Sequence, residues 1–431
     1  QLFGNNPLIG HLLNILLFGF TTVLIYMLLH QLLSASKYDH IKMGLAFITA
    51  LLFAVHPIHT EVVANIKGRD EIMALLMSLL SFKWTLDYLK NKQVKYLCFA
   101  GLAFFIGLLS KENAIAFIAL IPLGIYIFKQ NKIQEIFIAS VPIVIASIAM
   151  MAIRISIVGW PGASPATLEL MNNPFVSIDG NAYKPMPASN TLATIFYTLG
   201  KYIQLLFFPH PLTHDYYPRH IPIQSFGNVS VILSFIAYIS LLILSIWGIV
   251  KKNIFGFALP FYIIALLIVS NLVFAIGTNM GERFIYISSL GFCLIASYGM
   301  LFGLRKINNI NLRWGILAII VGLLSFKTIT RNAVWKNNYT LFTTDVKTSS
   351  NSAKMLNSAA GVLIETHYKE KEESILDKKM REAIGYLNKA IQIHPNYKLA
   401  YLQNGNAHYY IKEYEKAILN YEHVLRLDPN Y

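Results

Sequence analysis

Apolar residues in this chain come in long unbroken blocks rather than in the alternating or two-sided patterns of water-soluble domains. A bilayer core needs roughly 20 apolar residues per helix, and ten segments approach that pattern: 8–33, 41–56, 71–90, 95–110, 113–128, 135–158, 229–250, 255–275, 284–304 and 313–330. Several are short. One further block, 191–208 (TLATIFYTLGKYIQLLFF), carries Lys201 and two tyrosines among its apolar residues, as a re-entrant or interfacial helix does. The expected fold class is therefore all-α, a polytopic membrane helix bundle.

After about residue 331 the pattern changes, with charge and asparagine rising. A 34-residue period then becomes countable: Pro395-Asn396-Tyr397 recurs as Pro429-Asn430-Tyr431, and Ala383 recurs as Ala417. Tyr401, Gly405, His408, Tyr414, Ala417, Tyr421 and Pro429 complete the last unit with the spacing of tetratricopeptide repeats, helical hairpins that hold small residues where their helices touch. Ala353–Tyr368 and Glu382–Ile393 are read as the preceding pair, with the charged run Lys369–Lys379 lengthening the turn between them. The expected organisation is 1–330 as a polytopic transmembrane domain, 331–352 as linker, and 353–431 as about two repeats. More repeats are expected to follow, because each buries its face on a neighbour.

Composition agrees with the membrane reading: 55% of residues are hydrophobic and only 13% charged, against about 25% charged in soluble domains. The formal charge of +14 does not point to nucleic acid, because many of the basic residues sit in short loops between apolar blocks. Lys37, Lys42, Lys90, Lys92, Lys95, Lys129, Lys132, Lys251, Lys252, Arg305, Lys306 and Arg313 all fall on one set of alternate loops and their flanks. The positive-inside rule makes those loops cytoplasmic. It puts Gln1, the run from His56 to Glu71 and everything after residue 330 on the outer face. An eleventh span at 191–208 would reverse that placement for the C-terminal region. The two cysteines, Cys98 and Cys293, lie inside apolar blocks, so neither a disulfide framework nor a zinc site is expected. The chain opens on Gln1 and closes at a repeat boundary, as a fragment would.

Four polar clusters converge on the expected outer face: His56-Pro57-Ile58-His59-Thr60-Glu61 with Gly68-Arg69-Asp70-Glu71; Ser110-Lys111-Glu112; His214 to Arg219; and Gly281-Glu282-Arg283 with Tyr286. A single cation at a helix end is most often a snorkelling anchor. Four clusters on one face point instead to a charged ligand. Arginine and lysine hold phosphate or pyrophosphate, and carboxylates act as general base or orient those cations. The His-x-x-His-x-Glu spacing would place two imidazoles on one helix face. Pro57 interrupts a regular helix there and no third ligand is set, so a divalent metal is possible but unsupported, and the sequence requires no cofactor. The structural alternative is that His56 caps a helix end and His59 bonds locally, with Glu282-Arg283 a boundary ion pair.

Together these residues resemble the transmembrane and tetratricopeptide-repeat proteins, animal O-mannosyltransferases built as a GT-C-type membrane block followed by extracytoplasmic repeats. The resemblance runs along most of the chain. His56 to Glu61 with Gly68-Arg69 is similar to the family's histidine-proline-x-histidine-threonine-glutamate run and its glycine-arginine-alanine-aspartate continuation. Ser110-Lys111-Glu112 resembles a lysine-glutamate opening a later span, and Asp215 to Pro222 an aspartate-tryptophan-serine stretch closing in isoleucine-proline. Glu282-Arg283-Phe284-Ile285-Tyr286 through Gly291-Phe292-Cys293 resembles the glutamate-arginine-x-x-tyrosine motif, and Trp335–Asn357 the lead-in to the repeats. Asp70-Glu71 departs from alanine-aspartate, and Tyr216-Tyr217-Pro218-Arg219 from tryptophan-serine and its neighbours.

The resemblance implies transfer of a sugar from a polyprenyl-phosphate carrier to an acceptor, protein or glycan, at the extracytoplasmic face. It implies an acidic residue acting as catalytic base in a first external loop, expected upstream of Gln1. On this reading His56, His59, Glu61, Arg69, Asp70, Glu71, Lys111, Glu112, Asp215, Arg219, Glu282, Arg283 and Tyr286 line the substrate site. The partners would be a lipid-linked donor, membrane lipids and proteins bound by the repeats, and the location a multi-pass membrane, the inner membrane if the source is bacterial. The competing class is a non-catalytic, membrane-anchored repeat protein for assembly or binding. A transporter would need ionisable groups at mid-membrane and repeated halves, and no internal repeat is visible in the membrane block.

Overall fold

The computed structural model describes residues 7–159, 167–180 and 182–431; Gln1 lies outside them. Among the described residues the chain is all-α apart from one short hairpin. Seven helices come first: α1 (Pro7–Leu33), α2 (Lys42–Val55), α3 (Thr60–Ala64), α4 (Arg69–Asn91), α5 (Lys95–Ser110), α6 (Phe117–Phe128) and α7 (Ile133–Val158). The hairpin β1 (Val176–Asp179) and β2 (Ala182–Pro185) follows, antiparallel with Val176 opposite Pro185. Then come α8 (Ala188–Phe207), α9 (Val229–Val250), α10 (Phe255–Leu267), α11 (Ser289–Leu304) and α12 (Ile310–Val334), and finally α13 (Asn338–Thr348), α14 (Ala353–His367), α15 (Glu373–Ile393), α16 (Lys398–Tyr410) and α17 (Tyr414–Leu427).

Each of the ten expected spans contains a helix. Among the described residues five helices are long and apolar enough to cross a membrane, and six if a pair bent by 52° around His56 is one span. Lys95–Ser110, Glu112–Phe128, Phe255–Leu267 and Ser289–Leu304 are shorter. The protein is thus a multi-pass membrane protein. Helices α7, α9 and α12 keep large apolar side chains exposed, among them Phe137, Ile148, Leu233, Ile246, Leu323 and Phe326, which is where lipid is the solvent. The inner helices α1, α2, α4, α6, α10 and α11 share one continuous apolar core.

Some boundaries differ from expectation. The block 255–275 stops being helical at Leu267, and the block 284–304 becomes α-helical only at Ser289; the intervening chain is irregular and carries polar site residues. Helix α8 buries Ile195, Leu199, Tyr202 and Leu206 on one face while Leu192, Phe207 and Phe208 stay exposed. It is absent from the helices apolar enough to span. The expected linker 331–352 is largely helical, because α12 runs to Val334 and α13 fills 338–348. The charged run 369–379 lengthens a helix more than a turn: α15 already starts at Glu373, since Glu, Lys and Leu are good helix formers whatever their charge.

In the C-terminal part, α14 packs on α15, α15 on α16 and α16 on α17. A Cβ at Gly405 would stand 2.5 Å from the Tyr421 ring, so glycine is what lets α16 and α17 close on each other. This part is tied to the membrane block by Tyr183, whose hydroxyl meets His394 at 2.6 Å.

Candidate functional site

The site begins with a broken helix. Proline disfavours helical backbone in the residue before it, and His56 accordingly adopts ψ 124°, bending α2 away from α3. Asn65 repeats the device, extended and capping Lys67 N–H through its side chain. Gly68 then approaches so closely that a Cβ would lie 2.2 Å from Val62 O. The folded-back segment 57–68 leaves Glu61, Asp70 and Glu71 around one opening.

That opening is a cavity of about 260 Å³ lined by Glu61, Lys67, Gly68, Asp70, Lys111 and Arg283, with Ile276 and Phe284 as apolar wall. Two ion-pair sets organise it. Lys111 Nζ lies 2.7 Å from Glu71 Oε1 and 3.2 Å from Asp70 Oδ2. Arg283 donates from Nη1 to Glu61 Oε1 at 2.9 Å and from its backbone N–H to Glu61 Oε2 at 3.0 Å. Glu61 and Glu71 are buried, whereas the Arg283 side chain is 42% exposed and Asp70 34%. The cations thus reach the opening while buried carboxylates hold them from behind. Such pre-oriented cations suit an anionic ligand, because little side-chain entropy remains to be lost on binding.

Behind this opening lies a second polar knot. Glu282 Oε1 accepts from Thr213 N–H at 2.6 Å and from the Tyr216 hydroxyl at 2.9 Å. Burial pushes the Glu282 carboxyl up to about 8, with nearby Arg331 opposing and Glu61 reinforcing the shift. Arg331 is itself taken by a two-pronged pair with Asp345, at 2.5 and 2.8 Å. Burial raises Asp345, but its bonds to Arg331 and His214 outweigh that and leave its carboxyl below the usual range.

The thirteen residues singled out from sequence therefore separate into groups. Glu61, Asp70, Glu71, Lys111 and Arg283 are brought together. Glu112 stands beside them, paired with Arg154 at 2.8 Å on the exposed side. Arg69 points away: it donates to Asn14 Oδ1 at 3.0 Å and to Gly10 O at 3.1 Å, pinning α1 to α4. His56 and His59 are buried and occupied, His56 by Leu206 O and Ile58 N–H, His59 by Phe53 O and Ser289 Oγ. They bind protein, not the cavity. Tyr286 packs edge-on against the His59 ring at 5.1 Å. Asp215 accepts from Tyr217 N–H at 3.0 Å and faces Lys354 of α14 at 3.3 Å. Arg219 bonds Val176 O in the β1 strand. Both belong to the junction with the C-terminal helices rather than to the cavity.

Lys67 in the cavity and the Arg331–Asp345 pair were not singled out from sequence. The pair joins residues whose contact depends on the α12–α13 turn, and a lone arginine closing an apolar helix reads as an anchor. Among the described residues no group of three or more His, Cys, Asp or Glu is placed to hold a metal ion.

Comparison with known proteins shows what this chain is similar to. A family model described as dolichyl-phosphate-mannose-protein mannosyltransferase matches residues 1–160. Human protein O-mannosyl-transferase TMTC1 is 27% identical over 92% of this chain, covering 47% of the human protein. The chain is therefore similar to the protein O-mannosyl-transferases over most of its length. Mouse TMTC3 is 25% identical over 89% of the chain and 43% of the mouse protein, and the Caenorhabditis elegans protein O-mannosyl-transferase F38B6.6 is 27% identical over 80% and 46%. The chain spans about half the length of the curated relatives it matches. No solved structure matches it. The family match covers the segment that supplies Glu61, Asp70, Glu71 and Lys111, but ends well before Arg283.

Proposed function

We propose that this chain is the membrane part of a GT-C-type glycosyltransferase that moves a sugar from a polyprenyl-phosphate donor to a protein hydroxyl at the extracytoplasmic face. The observation that carries this reading is the cavity where Lys111 and Arg283, held from behind by Glu71 and Glu61, are presented beside an apolar wall. Its supporting context is the printed activity of the relatives, protein O-mannosyl transfer. In this scheme the donor phosphate docks on Lys111 and Arg283, whose charge stabilises the lipid phosphate as it departs. The apolar residues Ile276 and Phe284 receive the start of the polyprenyl tail. Every carboxylate of the cavity already faces a cation, so we assign Glu61, Asp70 and Glu71 the task of orienting cations and acceptor rather than of taking a proton. The helices from 353 onward, read as tetratricopeptide repeats, present the acceptor.

The test is sugar transfer from a polyprenyl-phosphate donor by the full-length protein carrying Arg283→Gln or Lys111→Gln. Losing one such charge-stabilising group is expected to slow turnover by about 10²–10³-fold. Unchanged turnover in both variants would remove the charge clamp. Loss of partner binding without any transfer in the parent protein would favour a purely scaffolding role.

A further inference from the structure

A second cationic centre lies at the opposite end of the bundle and takes no part in the reading above. Arg69, next to the first cavity, binds Gly10 near the start of α1, whereas Gln31 near its end receives Lys129. At 1.5 Å per residue those two points of α1 stand roughly 32 Å apart, close to the roughly 30 Å thickness of the hydrocarbon core. The second centre is thus at the other membrane boundary.

There two cavities of about 390 and 260 Å³ adjoin, sharing Lys37 and Tyr38 as common wall. Lys129 and Lys252 line the larger, and His40 and Arg305 the smaller. Neither has a carboxylate in its lining. The nearest acid, Asp39, is engaged by Lys42 at 2.9 Å and by Ala35 N–H at 3.0 Å. Among the described residues Lys37, Lys129, Lys252 and Arg305 form no ion pair. Two of them are nevertheless held in place. Lys129 donates to Gln31 O and Ser34 O at 2.7 and 2.8 Å, Lys252 lies 4.1 Å from the centroid of the Tyr126 ring, and the Tyr38 hydroxyl is fixed by Ile254 N–H at 3.0 Å. Lys37, Lys129 and Lys252 line the larger cavity together, and like charges there repel each other unless an anion arrives. The smaller cavity also has an apolar side, made by Tyr298, Leu301 and Phe302, and Phe302 is 61% exposed to the surroundings of the bundle.

A recess that is cationic within and apolar toward the bilayer matches a molecule with a phosphate at one end and acyl chains at the other. We propose that the paired cavities bind the headgroup of an anionic phospholipid, its phosphate between Lys129 and Lys252 and its glycerol and upper chains against Tyr298 and Phe302. Free phosphate shares the headgroup's charge but not its need for the apolar side, so the two sources are separable.

The full chain in detergent micelles would be titrated with phosphatidylglycerol, phosphatidylcholine or inorganic phosphate, and bound molecules counted by native mass spectrometry. Phosphatidylglycerol is expected to bind at least about ten-fold tighter than phosphatidylcholine. Lys252→Gln should weaken it roughly five-fold, and Lys129→Gln with Lys252→Gln roughly twenty-five-fold, at the usual increment per basic residue at a membrane surface. Lys336→Gln with Lys347→Gln, outside both cavities, should change nothing. Lys252 is exposed, so its single variant keeps the test sound even if loss of the Lys129 bonds unsettles α1. Equal affinity for the two lipids overturns the proposal, as does parent-like binding by Lys252→Gln and the double variant. Lysine-dependent capture of inorganic phosphate without capture of phosphatidylglycerol overturns it in favour of a free-anion site.

Discussion

Replacing Asp345 by asparagine removes one negative charge from a place where almost no water reaches. Asp345 and Arg331 have side chains only 1% and 5% exposed, and Asp345 also accepts the His214 N–H at 2.8 Å. An asparagine offers one acceptor oxygen where the carboxylate offers two, so at most one Arg331 bond survives and the guanidinium charge stays buried without its counterion. Breaking a buried pair by removing one partner costs about 3–5 kcal/mol, while replacing both partners with apolar groups is often near neutral. Here the double replacement Arg331→Met with Asp345→Leu still orphans the His214 N–H, a loss of about 1–3 kcal/mol. Equilibrium unfolding in mixed micelles should therefore rank the parent first, the double variant second and Asp345→Asn last. The mutation also loosens α13 from the 213–217 loop, which Ser349 grips by its bonds to Thr213 and Asp215 O. Finding Asp345→Asn within about 1 kcal/mol of the parent, or less stable variants only when both partners are replaced, would refute the buried-pair account.

Glu282 should make stability fall on the alkaline side. Its carboxyl is ordinarily half-ionised near 4.5 and in the folded protein near 8, so between those values the folded state holds the proton that the unfolded chain has released. Stability is then lost as pH rises through that window, by up to roughly 5 kcal/mol at about 1.4 kcal/mol per unit. Glu282→Gln should flatten the profile between pH 5 and 8; an unaltered slope in unfolding measurements would show that Glu282 is ionised throughout. Arg69→Gln, which touches Asn14 and Gly10 rather than the cavity, should cost about 1–3 kcal/mol of stability and leave the KM for the lipid-phosphate donor unchanged. A raised KM at full stability would put Arg69 in the donor site instead.

How much of this was legible in the linear chain differs from residue to residue. The helical blocks could be read because bilayer solvent demands long apolar runs, and Pro57 announced the bend at His56 because the ring restricts the residue before it. The grouping of Glu61 with Arg283 could be suspected only by placing both on one face of the membrane; their sequence separation contains no information about the 2.9 Å contact. For His56 and His59 both a site role and a local structural role were open, because composition cannot tell an imidazole facing a cavity from one satisfied by Leu206 O and Ser289 Oγ; the structure shows His56 capping and His59 bonded to Phe53 O. Arg69 shows the same limit: a cation beside carboxylates reads as part of their cluster, and only the fold shows it donating to Asn14 and Gly10.

Local chemistry along the chain was therefore enough for the all-α membrane architecture, for the 34-residue period at the C-terminal end and for the inventory of polar clusters, since hydropathy and periodicity act over one helix at a time. Pairing was decided only by tertiary structure. The fold chose Glu61 and Glu71, not Arg69, as neighbours of the exposed cations. It also turned Asp215 toward Lys354 and set Lys129 and Lys252 around one recess at the far membrane boundary. Electrostatic energy depends on separations of a few ångströms and on burial, and both are properties of the packed helices rather than of their order.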